Sequence, residues 1–247
     1  MQIELIGCTS AGKSTLSRSI LQACREQGID LSMADDFVLK QVRLNWVKMN
    51  LARRLLVNLV ALCACLATWQ KNLAFYIFAI QVIFQLPTAL FEKLYSLRNV
   101  LKRIGVYEII CRWKADQQVL LVDEGTLQTA HNLFVNVSIE MKADDLSTFV
   151  KLAPQPDVVI YVKQSEAILI ERTIKRGHKR IPDRSYRPVV RFIKQAVSMF
   201  DKLVQYPAVE NKVLVIDGDQ NVNMLLGQLL NRFSVSRDKV WQVQSVK

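Results

Sequence analysis

The run Gly7-Cys8-Thr9-Ser10-Ala11-Gly12-Lys13-Ser14-Thr15, directly behind Gln2-Ile3-Glu4-Leu5-Ile6, limits the fold more than any other feature of the chain. It satisfies G-x-x-x-x-G-K-[ST], a loop whose backbone N–H groups, with the start of the following helix, close around an anion. The flanks agree with this reading. Residues 2–6 have strand character, Lys13 to Gln27 has helical character, and Gly28 supplies a stop signal. Lys13 is placed to reach the β- and γ-phosphates of a nucleoside triphosphate, and the Ser14 hydroxyl to ligate Mg²⁺. Cys8 belongs to the loop, but its side chain is not required to face the ligand.

A second run supports the first. Gln118-Val119-Leu120-Leu121-Val122-Asp123-Glu124-Gly125 reads as a buried strand ending in two acids. Such a strand delivers a carboxylate to the metal or its water, and Asp123, then Glu124, is the expected ligand.

The 247 residues suit one domain, 1–247, carrying an embedded segment. Half of them are hydrophobic, which excludes wholesale disorder, and no repeat suggests a solenoid. The net charge of +11 favours anionic partners. Between Lys40 and Lys114 stand twelve basic side chains against only Glu92 and Glu108, so this segment holds +10 of the total. It is also strongly apolar: Lys71 is the only charge from Leu55 to Phe91. Scarce glycine and proline predict long helices, 40–69 and 73–103, joined at Gln70-Lys71-Asn72. Gln81, Gln85, Thr88 and Glu92 recur at helical spacing as a polar stripe. The segment is either a helical subdomain on the core or a surface that meets a bilayer through apolar faces and basic flanks. A full hairpin span is disfavoured, because about 20 apolar residues are needed and Asn58, Gln81 and Gln85 intervene.

The five cysteines, Cys8, Cys24, Cys63, Cys65 and Cys111, lack paired metal-binding spacing, and only His131 and His178 are available to assist them. Reduced, buried thiols in a cytoplasmic protein are the expectation, and residues 2–6 read as a strand rather than a leader.

These motifs resemble those of thymidylate-kinase-like P-loop proteins, within the wider nucleoside and nucleotide kinase group. The resemblance extends to the strand Pro156-Asp157-Val158-Val159-Ile160-Tyr161-Val162 and to a last strand, 212–218. It implies a three-layer α/β fold with a parallel sheet and helices on both faces, which alternating strands and helices independently suggest. It also implies ATP and Mg²⁺ as cofactors, a small-molecule acceptor and, as is common in the family, a homodimer.

In the family a helix leads into a lid whose arginines clamp the transferring phosphates. Here the matching stretch is Glu171 to Arg180, within a lid-like segment 163–187. Arg172 and Arg176 fall on one helix face, and Arg180 and Arg184 follow the hinge-like Gly177. Asp35 and Asp36 follow a short expected strand near 29–34. Asp36 or Asp35 is placed either to orient or deprotonate an acceptor hydroxyl or to start a helix. Thr126, Gln128 and His131 are candidates for an acceptor pocket, and Asp217 and Asp219 for the border of the adenine. Asp123-Glu124-Gly125 stands where the family carries an Asp-Arg-Tyr-type turn, so the resemblance does not extend to thymidylate as acceptor.

Two functions compete. One is an ATP- and Mg²⁺-dependent phosphotransferase with Lys13, Asp36, Arg172 and Arg176 as catalytic residues. The other is a nucleotide-binding switch docked on a membrane surface by 40–114. Nucleic-acid binding is disfavoured, because no aromatic stacking platform accompanies the charge. Helices are further expected over 142–152, 188–206 and 220–233, before a polar tail, 234–247.

Overall fold

A computed structural model describes residues 1–115, 118–137, 139–178, 180–181, 185–217, 224–225 and 227–229. Among them, β1 (Gln2–Ile6), β2 (Leu31–Met33), β3 (Val119–Val122), β4 (Val158–Lys163) and β5 (Val213–Asp217) form one parallel sheet in the order β2-β3-β1-β4-β5. Parallel neighbours need crossovers, and helices supply them. They are α1 (Lys13–Glu26), α2 (Ala34–Gln41), α3 (Asn50–Ala67), α4 (Leu73–Gln85), α5 (Leu90–Trp113), α6 (Thr129–Phe134), α7 (Ala143–Leu152), α8 (Glu166–Arg176), α9 (Tyr186–Leu203) and α10 (Pro207–Glu210). Glu4 pairs in register with Val122 on one side and Val159 on the other. The carboxyl ends of β1 and β3 therefore lie side by side, where open α/β sheets bind ligands.

Alternation along β3 shows that both faces are covered. Leu121 enters the larger core, with α1, α4, α7, α8 and α9, while Leu120 and Val122 enter a second core with α2, α3 and α5. The architecture is thus the expected three-layer α/β P-loop fold.

The helical segment departs from the expected pair of long helices. The first is split into α2 and α3 by a turn over 42–49 in which Arg43 adopts φ 57°. The second breaks at Pro87, because the residue before a proline is driven out of helical geometry, and Leu86 is extended at ψ 137°. The helix after the break, α5, runs on to Trp113 and passes through Gly105. That glycine has a steric reason: a Cβ there would stand 2.0 Å from the Ala61 carbonyl oxygen of α3. Val57, Ala61 and Cys65 seal the α3–α5 contact.

Part of the segment's charge is neutralised by ion pairs: Arg53 with Asp36, Lys71 with Glu108 at 3.0 Å, Lys102 with Asp35 at 3.4 Å, and Lys114 with Asp157 at 3.2 Å. The thiols also differ from expectation. Cys8, Cys24 and Cys65 are buried, but Cys63 and Cys111 are exposed on α3 and α5. The helix expected at 220–233 lies largely outside the described residues, and the tail 234–247 wholly so.

Candidate functional site

Gly7 leaves β1 at φ 145°, and a Cβ on it would meet the Val162 carbonyl oxygen of β4 at 2.7 Å. Only glycine turns the chain here. The Gln128 side chain, at the start of α6, holds this turn from both sides. Gly7 N–H donates to its Oε1 at 3.0 Å, and its Nε2 donates to the Gly7 carbonyl at 3.0 Å. The loop then curls through Ser10 (φ 63°) and Gly12 (φ 97°) into α1. Thr9, Ser10, Ala11, Gly12, Lys13, Ser14 and Thr15 all face one cavity of ≈ 1390 Å³. Cys8 instead enters the core, where burial pushes its thiol up to about 12, so it is a structural member of the loop.

Lys13 Nζ donates to the carbonyls of Gly7 (2.8 Å) and Cys8 (2.9 Å), and burial holds its ammonium below the ordinary range. The Ser14 hydroxyl donates to Asp123 Oδ2 at 3.1 Å. Burial, partly offset by that bond, raises the Asp123 carboxyl, and its Oδ1 is buried without a partner among the described residues. Hydroxyl and carboxylate oxygens are the hard donors that Mg²⁺ takes, and the unpartnered Oδ1 makes Ser14 and Asp123 fit that ion.

The second acid behaves differently. Glu124 turns to Arg103 of α5, whose Nη2 donates at 2.5 Å. Burial works to raise the Glu124 carboxyl, but the charges of Arg103 and Lys13 outweigh it and hold the group ionised. Asp123 therefore adjoins Ser14, while Glu124 faces the cavity from the side of α5.

Below this turn lies Glu4, an acid in the middle of β1 with no exposed surface. Its Oε1 accepts from the Gln128 backbone N–H at 2.8 Å. Its Oε2 lies 3.2 Å from the Thr126 hydroxyl, which also lies 2.6 Å from the Pro154 carbonyl. One hydroxyl proton serves two contacts, and a carbonyl only accepts. Burial raises the Glu4 pKa to about 7, and in its neutral form the carboxyl is able to supply the second proton.

The far wall of the cavity comes from α5 (Glu92, Tyr95, Ser96, Asn99, Arg103) and α6 (His131, Asn132). Burial keeps His131 far below the usual imidazole range and hence neutral. Its Nε2, with Asn132 Nδ2 and Arg103 Nη1, has no partner among the described residues. The polar stripe expected on one helix is divided by Pro87: Thr88 and Glu92 reach the cavity, whereas Gln81 and Gln85 are exposed.

The lid-like helix is α8. It docks on the loop through Thr173, whose hydroxyl donates to Ser10 Oγ at 3.2 Å, and it ends at Gly177 with φ 77°. Arg172 and Arg176 are exposed on the cavity wall, as their spacing suggests. Arg180 lines the cavity too, but it is tied down, donating to the carbonyls of Val135 (2.8 Å) and Asn132 (3.2 Å). Arg184 and Asp219 lie outside the described residues. Asp36 is not brought to the cavity. It stands exposed beside Arg53, and Asp35 beside Lys102, because α2 begins right after β2 and points both acids at α3 and α5.

Arg103, Thr173 and Asn132 belong to the site without a sequence signal of their own. Glu4 did carry one, as a lone acid between Ile3 and Leu5 in a buried strand.

No protein-family model matches the chain, and no curated protein does. Three solved structures of deoxyadenosine kinase from M. mycoides are similar to it. The one with the products dCMP and dCDP bound has 16% identity and a TM-score of 0.48. The one with dCTP has 16% and 0.46, and the one with dATP has 16% and 0.48. Each comparison covers 95% of this chain and 100% of the other.

Proposed function

We propose that the protein transfers the γ-phosphoryl group of ATP, with Mg²⁺, to a small-molecule acceptor held between the phosphate loop and α5–α6. The observation that carries this reading is the shared cavity. The loop 9–15, the arginines of α8 and the polar groups of α5 and α6 open into one space of ≈ 1390 Å³. The polar side chains of α5 and α6 give this one cavity donors and acceptors beyond those of the loop, which an acceptor can use.

In this reading the loop N–H groups cradle the phosphates, and Lys13 exchanges its two carbonyl contacts for phosphate oxygens. Ser14 and Asp123 hold the Mg²⁺, which supplies charge neutralisation on the transferring group. Arg172 and Arg176 approach the same group from the lid, where cations aimed at developing charge accelerate transfer. Glu124, kept ionised by Arg103, is the carboxylate placed to orient the acceptor hydroxyl, the role that sequence alone suggested for Asp36.

The test is ADP release from Mg·ATP across a panel of nucleosides, nucleoside monophosphates and phosphorylated sugars, with Lys13→Ala as the blank. Acceptor-dependent turnover lost in Lys13→Ala supports the reading. Tight ATP binding with no stimulation by any acceptor class counts against it and favours the nucleotide-dependent switch.

A further inference from the structure

The outer side of α3 takes no part in the site. Val57, Ala61 and Cys65 face α5, while Leu51, Leu55, Leu59, Leu62 and Leu66 recur at three- and four-residue intervals on a separate, exposed side. Leu51 and Leu66 are each 68% exposed, and Trp46 and Met49, just before the helix, 72% each. Trp69 stands exposed just beyond its other end. An uninterrupted apolar stripe of this length on a surface helix marks an interaction face.

Charge selects the occupant. From Phe37 to Phe91 the chain has no acidic residue, but it carries Lys40, Arg43, Lys48, Arg53, Arg54 and Lys71. Arg53 and Lys71 are paired with Asp36 and Glu108, whereas Arg43, Lys48 and Arg54 form no ion pair among the described residues. A second copy docking through the same face would offer these cations no carboxylate from that stretch and would set like charges together. An anionic bilayer offers complementary charge at the headgroups and a solvent for the leucines below them. The tryptophans at both ends suit the interface between the two. Although α3 is apolar and long enough to cross a membrane by composition, Gly105 and Ala61 fix its inner side to α5, so it is held along the protein surface.

We infer that α3 is a membrane-docking element that lies flat on an anionic lipid surface, with its leucine stripe in the acyl boundary and Arg43, Lys48 and Arg54 among the headgroups. The inference stands apart from the phosphotransfer reading.

The test uses the full chain with Cys111→Ser, labelled at the exposed Cys63, which borders the stripe next to Leu59, with an environment-sensitive fluorophore. Phosphatidylcholine vesicles containing about 30% phosphatidylserine should shift its emission to the blue and retain the protein, less so as salt rises. Pure phosphatidylcholine vesicles should do neither. Lys48→Gln and Arg54→Gln should each weaken partitioning roughly fivefold. Leu55→Gln/Leu59→Gln/Leu62→Gln should abolish it while leaving the melting temperature nearly unchanged, since Gln is a fair helix former and these positions are exposed. Unchanged emission with anionic vesicles overturns the inference. So does a concentration-dependent dimer that the leucine variant dissolves while vesicles bind neither form, which would make the face a contact between copies.

Discussion

Replacing Glu4 by glutamine should stabilise the protein at neutral and alkaline pH and remove a pH dependence that the native chain carries. Glu4 is fully enclosed, meets the Gln128 N–H, the Leu127 N–H and the Thr126 hydroxyl, and has Arg103 as its only charged neighbour of consequence. Burial dominates and raises its pKa from an ordinary 4.5 to about 7. Below pH 4.5 both folded and unfolded chains carry the proton, and the native contacts contribute in full. Between 4.5 and about 7 the unfolded chain releases it while the folded chain keeps it, so stability falls as pH rises. Above that interval the loss is complete. At ~1.4 kcal/mol per pH unit, the interval corresponds to about 3 kcal/mol. Glutamine reproduces the neutral carboxyl here: its oxygen accepts from Gln128 N–H and its NH₂ donates to Thr126, whose own proton stays on Pro154. Urea unfolding of both proteins at pH 4.5, 6.0 and 8.0 measures the difference. The variant should gain nothing at the lowest pH, roughly 2 kcal/mol at pH 6 and about 3 kcal/mol at pH 8. Parallel pH profiles, or a variant less stable than the native chain at pH 8, would refute the argument for a protonated Glu4.

Other expectations follow from the same geometry. Gly105→Ala would gain about 1 kcal/mol of helix propensity on an open helix, but its Cβ strikes backbone on α3, so an overpacking cost of roughly 3 kcal/mol or more should leave a net loss of about 2 kcal/mol or more in thermal or urea unfolding. Gln128→Ala removes both bonds to Gly7 and should weaken ATP binding about tenfold by calorimetry. Asp123→Asn should lower turnover about 100-fold and raise the Mg²⁺ concentration needed for half-maximal rate. Arg172→Ala and Arg176→Ala should each reduce kcat by ~10²-fold or more with little change in the KM for ATP, a split expected only if they act during transfer.

The phosphate-loop end of the candidate site was legible because its chemistry is local. The loop 7–15 fixes its own backbone, and a run of Val and Leu closing on Asp123 announces a buried strand beside it. The wall that α5 and α6 give the cavity was not, because it is assembled across long separations. Asp36 looks suitable by position after β2, yet its direction is set by α2 and by Arg53, seventeen residues away. Arg103 looks like one more cation of a basic segment until the packing of α5 delivers it to Glu124. The break at Pro87 was written in the sequence, but a single proline in a long apolar run says little until the extended Leu86 shows the chain turning. Gly105 works in the other direction: the expected helix stops at 103, whereas the missing side chain at 105 is what lets α5 continue beneath α3.

That missing side chain has a mechanical consequence. Arg103 and Gly105 are two residues apart on α5, hence on nearly opposite sides of one rigid rod. One side grips Glu124 on the wall of the phosphate-loop cavity, and the other bears directly on the backbone of α3 with no flexible side chain as a cushion. A load applied to α3 from outside thus meets that cavity across the width of a single helix. Linkage requires the transmission to run both ways, so nucleotide occupancy should alter the vesicle affinity of the labelled chain by the same factor as vesicles alter its affinity for nucleotide.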